Sequence, residues 1–85
     1  MERYSLEFTK SVRKDLKKIG KRDASRILKA IDRLEANPCP ASCKKLTDRE
    51  LYRIRVGNYR VVYEIFDRRL VIMIVKVGDR RDVYR

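Results

Sequence analysis

The sequence predicts an α+β domain: an N-terminal strand, a two-helix antiparallel hairpin, then antiparallel strands forming one sheet with the helices packed on one face. Three observations predict it. Leu51 to Tyr63, LYRIRVGNYRVVY, alternates apolar and polar residues on both sides of Gly57-Asn58. Between Thr9 and Asn37, apolar residues recur at helical spacing in two segments. Leu70 to Val77, LVIMIVKV, is an almost continuous apolar run rich in β-branched residues, the pattern of a strand rather than a helix at that length.

In chain order, Arg3 to Phe8 sets Tyr4, Leu6 and Phe8 on one face and Arg3, Ser5 and Glu7 on the other, a half-buried strand. Thr9 is placed to cap a helix whose stripe is Val12, Leu16 and Ile19 and which Gly20 ends. Asp23 is the expected cap of a second helix, in which Ala24, Ile27, Leu28, Ile31 and Leu34 recur until Asn37-Pro38 stops it. From Pro38 to Glu50 no period persists beyond a short extended KKLT, so a loop is expected. It holds both cysteines, Cys39 and Cys43. A small disulfide loop is open to them, but the sequence favours free thiols, since intracellular disulfides are credible mainly in hyperthermophiles.

Gly in the first position of a two-residue loop signals a type II′ hairpin. The register then pairs Val56 with Tyr59, Arg55 with Arg60, Ile54 with Val61 and Arg53 with Val62. Side chains alternate, so Tyr52, Ile54, Val56, Tyr59, Val61 and Tyr63 form a core face. Leu51, Arg53, Arg55, Arg60, Val62 and Glu64 form the other, which is expected to stay largely uncovered. Asp67, Arg68 and Arg69 turn the chain into the apolar run, read as a central strand buried on both faces. GDRRDVYR closes the sequence as a turn and a short strand or tail carrying Arg80, Arg81 and Tyr84.

Eighty-five residues suit one domain, residues 1–85. No stretch approaches the ~20 apolar residues of a membrane span, and the N-terminus has no apolar signal run. A cytoplasmic protein is expected. Lys and Arg total 23 against 12 for Asp and Glu, a formal charge of +11 with no histidine. So basic a body favours nucleic acid, an anionic membrane surface or an acidic protein as partner, and the amphipathic segments are too short and too ordinary to favour a membrane. Charged residues are 41% of the chain and Gln is absent, the compositional direction of thermophile proteins. Two cysteines without histidine do not complete a four-ligand zinc site in one chain; no metal or cofactor is expected.

Arg53 and Arg55 project in parallel about 6 to 7 Å apart along one strand, and Arg60 faces Arg55. Like charges directly opposite each other destabilise a sheet, which implies an anion that offsets them. Arginine forms bidentate bonds to phosphate and stabilises charge that develops on it. The competing reading is a solvated sheet surface whose arginines pair with Glu64, Asp79 and Asp82. Tyr4, Tyr52, Tyr59 and Tyr63 fall on inward faces, whereas Tyr84 lies outside that pattern. On the helices, Lys10, Arg13, Lys14, Lys17, Lys18, Lys21 and Arg22 form a basic cluster. It suits an RNA backbone or a plain solvent face, and carries no base specificity in either case.

The strings LYRIRVGNYRVVYEI and LVIMIVKVGDRRDVYR resemble the RelE toxins of the RelE/ParE superfamily, over essentially the whole chain. Such a resemblance implies the toxin of a type II toxin–antitoxin pair: a metal-independent endoribonuclease, or mRNA interferase, that cleaves messenger in the decoding (A) site of a translating ribosome and so inhibits translation. Carried over residue by residue, the paired basic positions before the turn are Arg53 and Arg55. The arginine of the Y-R string is Arg60, the one after V-G-x is Arg80, and the C-terminal tyrosine is Tyr84. The family's two paired positions are often lysine, and both are arginine here, which suits charge stabilisation better than proton transfer. The basic helix cluster and Arg81 become RNA- and ribosome-binding residues. The implied partners are an acidic, RelB-like antitoxin, in a heterotetramer or larger complex, and the ribosome with its messenger. A gyrase-inhibiting toxin of the ParE kind and a non-catalytic RNA- or ribosome-binding module remain as alternatives.

Overall fold

The alternating string folds as a hairpin of two strands, Leu51–Val56 and Tyr59–Phe66, in the predicted register throughout. Gly57 has φ +60° while Asn58 stays at negative φ, as a type II′ turn requires. The computed structural model describes residues 3–46 and 51–79. Its elements are β1 (Ser5–Phe8), α1 (Lys10–Lys18), α2 (Lys21–Arg33), β2 (Lys44–Lys45), β3 (Leu51–Val56), β4 (Tyr59–Phe66) and β5 (Val71–Asp79). They make a five-stranded sheet in the order β1-β5-β4-β3-β2. The α+β class stands as predicted.

Three sequence expectations are refined or corrected. β1 pairs parallel with β5, Ser5 opposite Val71 and Phe8 opposite Ile74, so the sheet is mixed; α1, α2 and the three strands β2 to β4 together make the long connection that parallel neighbours need. The second helix starts at Lys21 with Gly20 as its cap and no side-chain cap bond. Asp23 therefore lies in the first turn, where a carboxylate favours the positive end of the helix, instead of capping it. The apolar run is not buried on both faces either. β5 carries one extra residue opposite the Val62/Tyr63 step, and this bulge lets Ile72, Ile74 and Val77 all enter the core while Val71, Met73 and Val75 are only half-buried. A period broken from two to three residues reads in sequence as a continuous run.

Thr9 caps α1 as predicted, its hydroxyl accepting from the Val12 amide at 3.2 Å. Val12 from α1 and Ile27, Ile31 and Leu34 from α2 and its C-cap meet Ile54, Val61, Tyr63, Ile65, Ile72, Ile74 and Val77 in one core. Tyr63 is fully buried, and Tyr4, Tyr52 and Tyr59 pack half-buried against the same cluster. No helix among the described residues is long and apolar enough to cross a membrane.

Cys39 and Cys43 are joined in a disulfide, contrary to the free thiols the sequence favoured. Pro38 and Pro40 bracket Cys39, and the Cys43 amide donates to the Pro40 carbonyl at 2.8 Å. This turn brings the two Cα atoms to 5.1 Å, within bridging distance. Tyr63 locks the loop to the sheet: its hydroxyl donates to the Pro38 carbonyl at 2.6 Å and lies 3.3 Å from Cys43 Sγ. Burial, with the nearby Tyr52 phenol second, pushes the Tyr63 pKa well above the ordinary tyrosine value. It is a structural phenol, not a proton carrier.

Candidate functional site: an arginine face on the sheet

Arg53 and Arg60 lie on the sheet face away from the helices, as the alternation requires, but both are buried, at 8% and 4% exposure. The expectation of a largely uncovered face is thereby corrected. Both occupy interior positions of the sheet. Arg53 is flanked by Lys44 on β2 and Val62 on β4, and Arg60 by Arg55 on β3 and Gly78 on β5. Gly78 offers no side chain, so that side of Arg60 is left to its own stem. Val62, itself only 8% exposed, completes the surface between them. Arg55 alone of the three is exposed.

A guanidinium cannot shed its charge on burial, because its proton is held too tightly. It must find anions or hydrogen-bond acceptors, or remain a cost to folding. Among the described residues, no carboxylate lies in ion-pair contact with Arg53 or Arg55. Arg53 Nε is buried without a hydrogen-bond partner among the same residues. Arg55 stands directly across from Arg60. Two buried guanidiniums with a third, exposed one across the strand pair offer the clustered donors that a phosphate passing to a more negative state requires.

The hairpin thus brings Arg53, Arg55 and Arg60 together. Arg80, Arg81 and Tyr84 lie outside the described residues. Asp79, which precedes Arg80 in sequence, pairs with Tyr59 next to Arg60. The basic helix cluster is elsewhere: Lys10, Arg13, Lys14, Lys17, Lys18, Lys21 and Arg22 are exposed on α1 and the start of α2. That layer packs on the core face of the sheet, opposite the face of Arg53 and Arg60. Among the described residues no group of three His, Cys, Asp or Glu is disposed to hold a metal. A second cationic cluster was missed in the sequence: Arg26, Lys29 and Arg33 on α2 line a groove together with Arg55. Their i, i+3, i+7 spacing was the available signal.

A strand, a helix pair and a meander whose β3–β4 hairpin presents buried arginines define a small basic α+β protein. A family model described as the ParE toxin of the type II toxin–antitoxin system, parDE, matches residues 6–84, and the chain belongs to this RelE/ParE family. Toxin RelG of Mycobacterium tuberculosis is 33% identical over 96% of this chain and 97% of its own length. The mRNA interferase toxin RelE of Escherichia coli K12 is 27% identical over 95% of this chain and 90% of its own. Among solved structures, RelE in the archaeal RelE–RelB complex of Pyrococcus horikoshii superposes with a TM-score of 0.80 at 33% identity, covering 93% of this chain and 97% of that one. The RelE resemblance of the hairpin string is borne out at full length.

Proposed function

We propose that this protein is the toxin of a type II toxin–antitoxin pair and acts as an mRNA interferase, cutting messenger in the ribosomal A site. The observation that carries the reading is the pair of buried guanidiniums, Arg53 and Arg60, on either side of the buried Val62. A basic surface serves RNA binding anywhere; burying its arginines serves charge stabilisation. The E. coli relative named mRNA interferase RelE supports the same reaction, the P. horikoshii relative solved with RelB supports a RelB-like partner, and the formal charge of +11 suits that partner being acidic. Ribosomes place the activity in the cytoplasm.

In the reaction, the 2′-oxygen of the substrate attacks its own 3′-phosphorus. The O2′–P bond forms, the P–O5′ bond breaks, and the products are a 2′,3′-cyclic phosphate and a 5′-hydroxyl. Arg60 and Arg80 hold the phosphate and its developing charge, while Arg53 and Arg55 add field and orientation. Tyr84 accepts the 2′ proton or stacks on a base. The 5′-oxygen takes its proton from solvent, since arginine is a poor acid. The reaction so written needs no metal.

Primer extension on ribosomes with an occupied peptidyl site and a defined messenger tests the reading. Cleavage within the vacant codon, absent from free RNA and lost in Tyr84→Phe, is expected. The family model's description as a ParE toxin favours a second reading, inhibition of gyrase. Supercoiling inhibited by the purified protein, with ribosome-bound messenger intact, would replace the first reading by the second.

A further inference from the structure

Arg26, Lys29 and Arg33 concentrate charge apart from both the buried arginines and the basic cluster of α1. Between α2 and the β3–β4 turn runs a groove of about 370 Å³, walled by Arg26, Lys29 and Arg33 on one side and by Arg55 to Gly57 on the other. The three helix positions share a face and span about 10 Å along the axis. They border the stripe of Ile27, Ile31 and Leu34 that packs into the core, so the cations stand where helix meets sheet. A Cβ on Gly57 would lie 3.8 Å from both terminal nitrogens of Arg26, which puts that guanidinium against the turn.

Among the described residues, none that lines the groove is acidic. Arg26 reaches Asp23 at 4.0 Å, with both side chains well exposed, and such a pair contributes little. Four cations around one concavity repel each other unless an anion joins them. Arg55 is shared: it opens onto the groove and stands two residues from Arg53 on the same strand face.

We propose that this groove binds the phosphate backbone of RNA, on the strand or rRNA segment adjoining the one whose phosphodiester lies on the arginine face; the proposal rests on ribosome-bound RNA being the target. An acidic protein segment is the other polyanion to weigh. Docked helices and strands are anchored by apolar side chains in packed pockets, and among the described residues only Ala30 and Val56 line the groove with apolar side chains. A phosphate backbone needs spaced cations and no apolar anchor. Arginine adds bidentate geometry toward each phosphate. The groove holds register without reading bases.

The test compares Arg26→Gln/Arg33→Gln with a control pair that removes the same charge at the opposite end of the hairpin, Arg68→Gln/Arg69→Gln. Circular dichroism verifies that both fold. Binding is measured to ribosomes programmed with a messenger that carries a 2′-deoxynucleotide at the attacking position, so that no cleavage intervenes. The slope of log K against log salt falls by about 0.7 to 0.9 for each phosphate that the protein no longer neutralises. The groove pair is expected to lower the slope by about 1.4 to 1.8 and affinity at least tenfold, and the control pair to change affinity by less than about twofold. A groove pair that binds programmed ribosomes as the control pair does overturns the proposal. If that pair also loses affinity for the antitoxin, the groove belongs to an acidic protein. Wild type that fails to bind ribosomes at all defeats the interferase reading itself, an outcome distinct from the loss of the groove alone.

Discussion

Arg53 and Tyr63 show how two buried polar side chains on one hairpin take opposite roles. Tyr63 is stabilising: its hydroxyl is bonded to Pro38, and Tyr63→Phe is expected to cost about 1 kcal/mol at neutral pH. Its raised pKa has a sign that can be checked. Above pH ~10 the unfolded chain releases this proton and the folded chain keeps it, so the contribution is complete below the ordinary tyrosine pKa and is lost as pH rises through the folded value. Urea unfolding at pH 9 and pH 11 should therefore show a smaller alkaline loss in Tyr63→Phe than in wild type; equal losses would contradict the assignment. Arg53 is the reverse case, a buried charge whose Nε lacks a partner among the described residues. Replacing such a group with an apolar one of similar length is neutral or stabilises by up to a few kcal/mol. Arg53→Met is therefore expected to hold or raise the melting temperature while cleavage falls.

The elements divide into those that local pattern specifies and those that depend on the rest of the chain. The hairpin register was legible because a two-residue loop and strict alternation leave one solution. The Thr9 cap was legible because the hydroxyl and the helix it caps are neighbours, and Thr9→Ala should cost about 1 kcal/mol in thermal unfolding. The parallel placement of β1 was not legible, because the period along a strand carries no information about the direction of its neighbour. The start of α2 was misread because Gly20 caps it through backbone alone. The disulfide was misjudged because its closeness is produced by a proline turn and by Tyr63, 20 residues further on than Cys43. Closing so short a loop contributes about 2 kcal/mol in the chain-entropy account. Dithiothreitol should lower stability to denaturant by up to that amount in wild type and leave Cys39→Ser/Cys43→Ser unchanged. Equal sensitivity of both would exclude the bridge as the cause.

For the whole molecule, +11 formal charges on 85 residues form a long-range field for polyanions, and the sheet and α2 divide it into surfaces. The arginines of the hairpin were legible as a set, since alternation alone gathers Arg53, Arg55 and Arg60. Their burial was not, because it depends on what flanks them across four strands, Gly78 included. The groove escaped because Arg33 and Arg55 meet only after the whole loop and β2 intervene. Binding to ribosomes is expected to weaken steeply with salt through this field, whereas the chemical step on the arginine face should respond little, since Arg53 and Arg60 are buried. The central claim is that the buried arginines serve the reaction and not the fold. The most direct test is the single-turnover rate of messenger cleavage on programmed ribosomes at saturating toxin, wild type against Arg53→Met, with melting temperatures measured on the same preparations. A rate lowered about a hundredfold or more in protein at least as stable as wild type is the expected result. A wild-type rate in Arg53→Met, or a lost rate matched by a collapsed melting temperature, would contradict it.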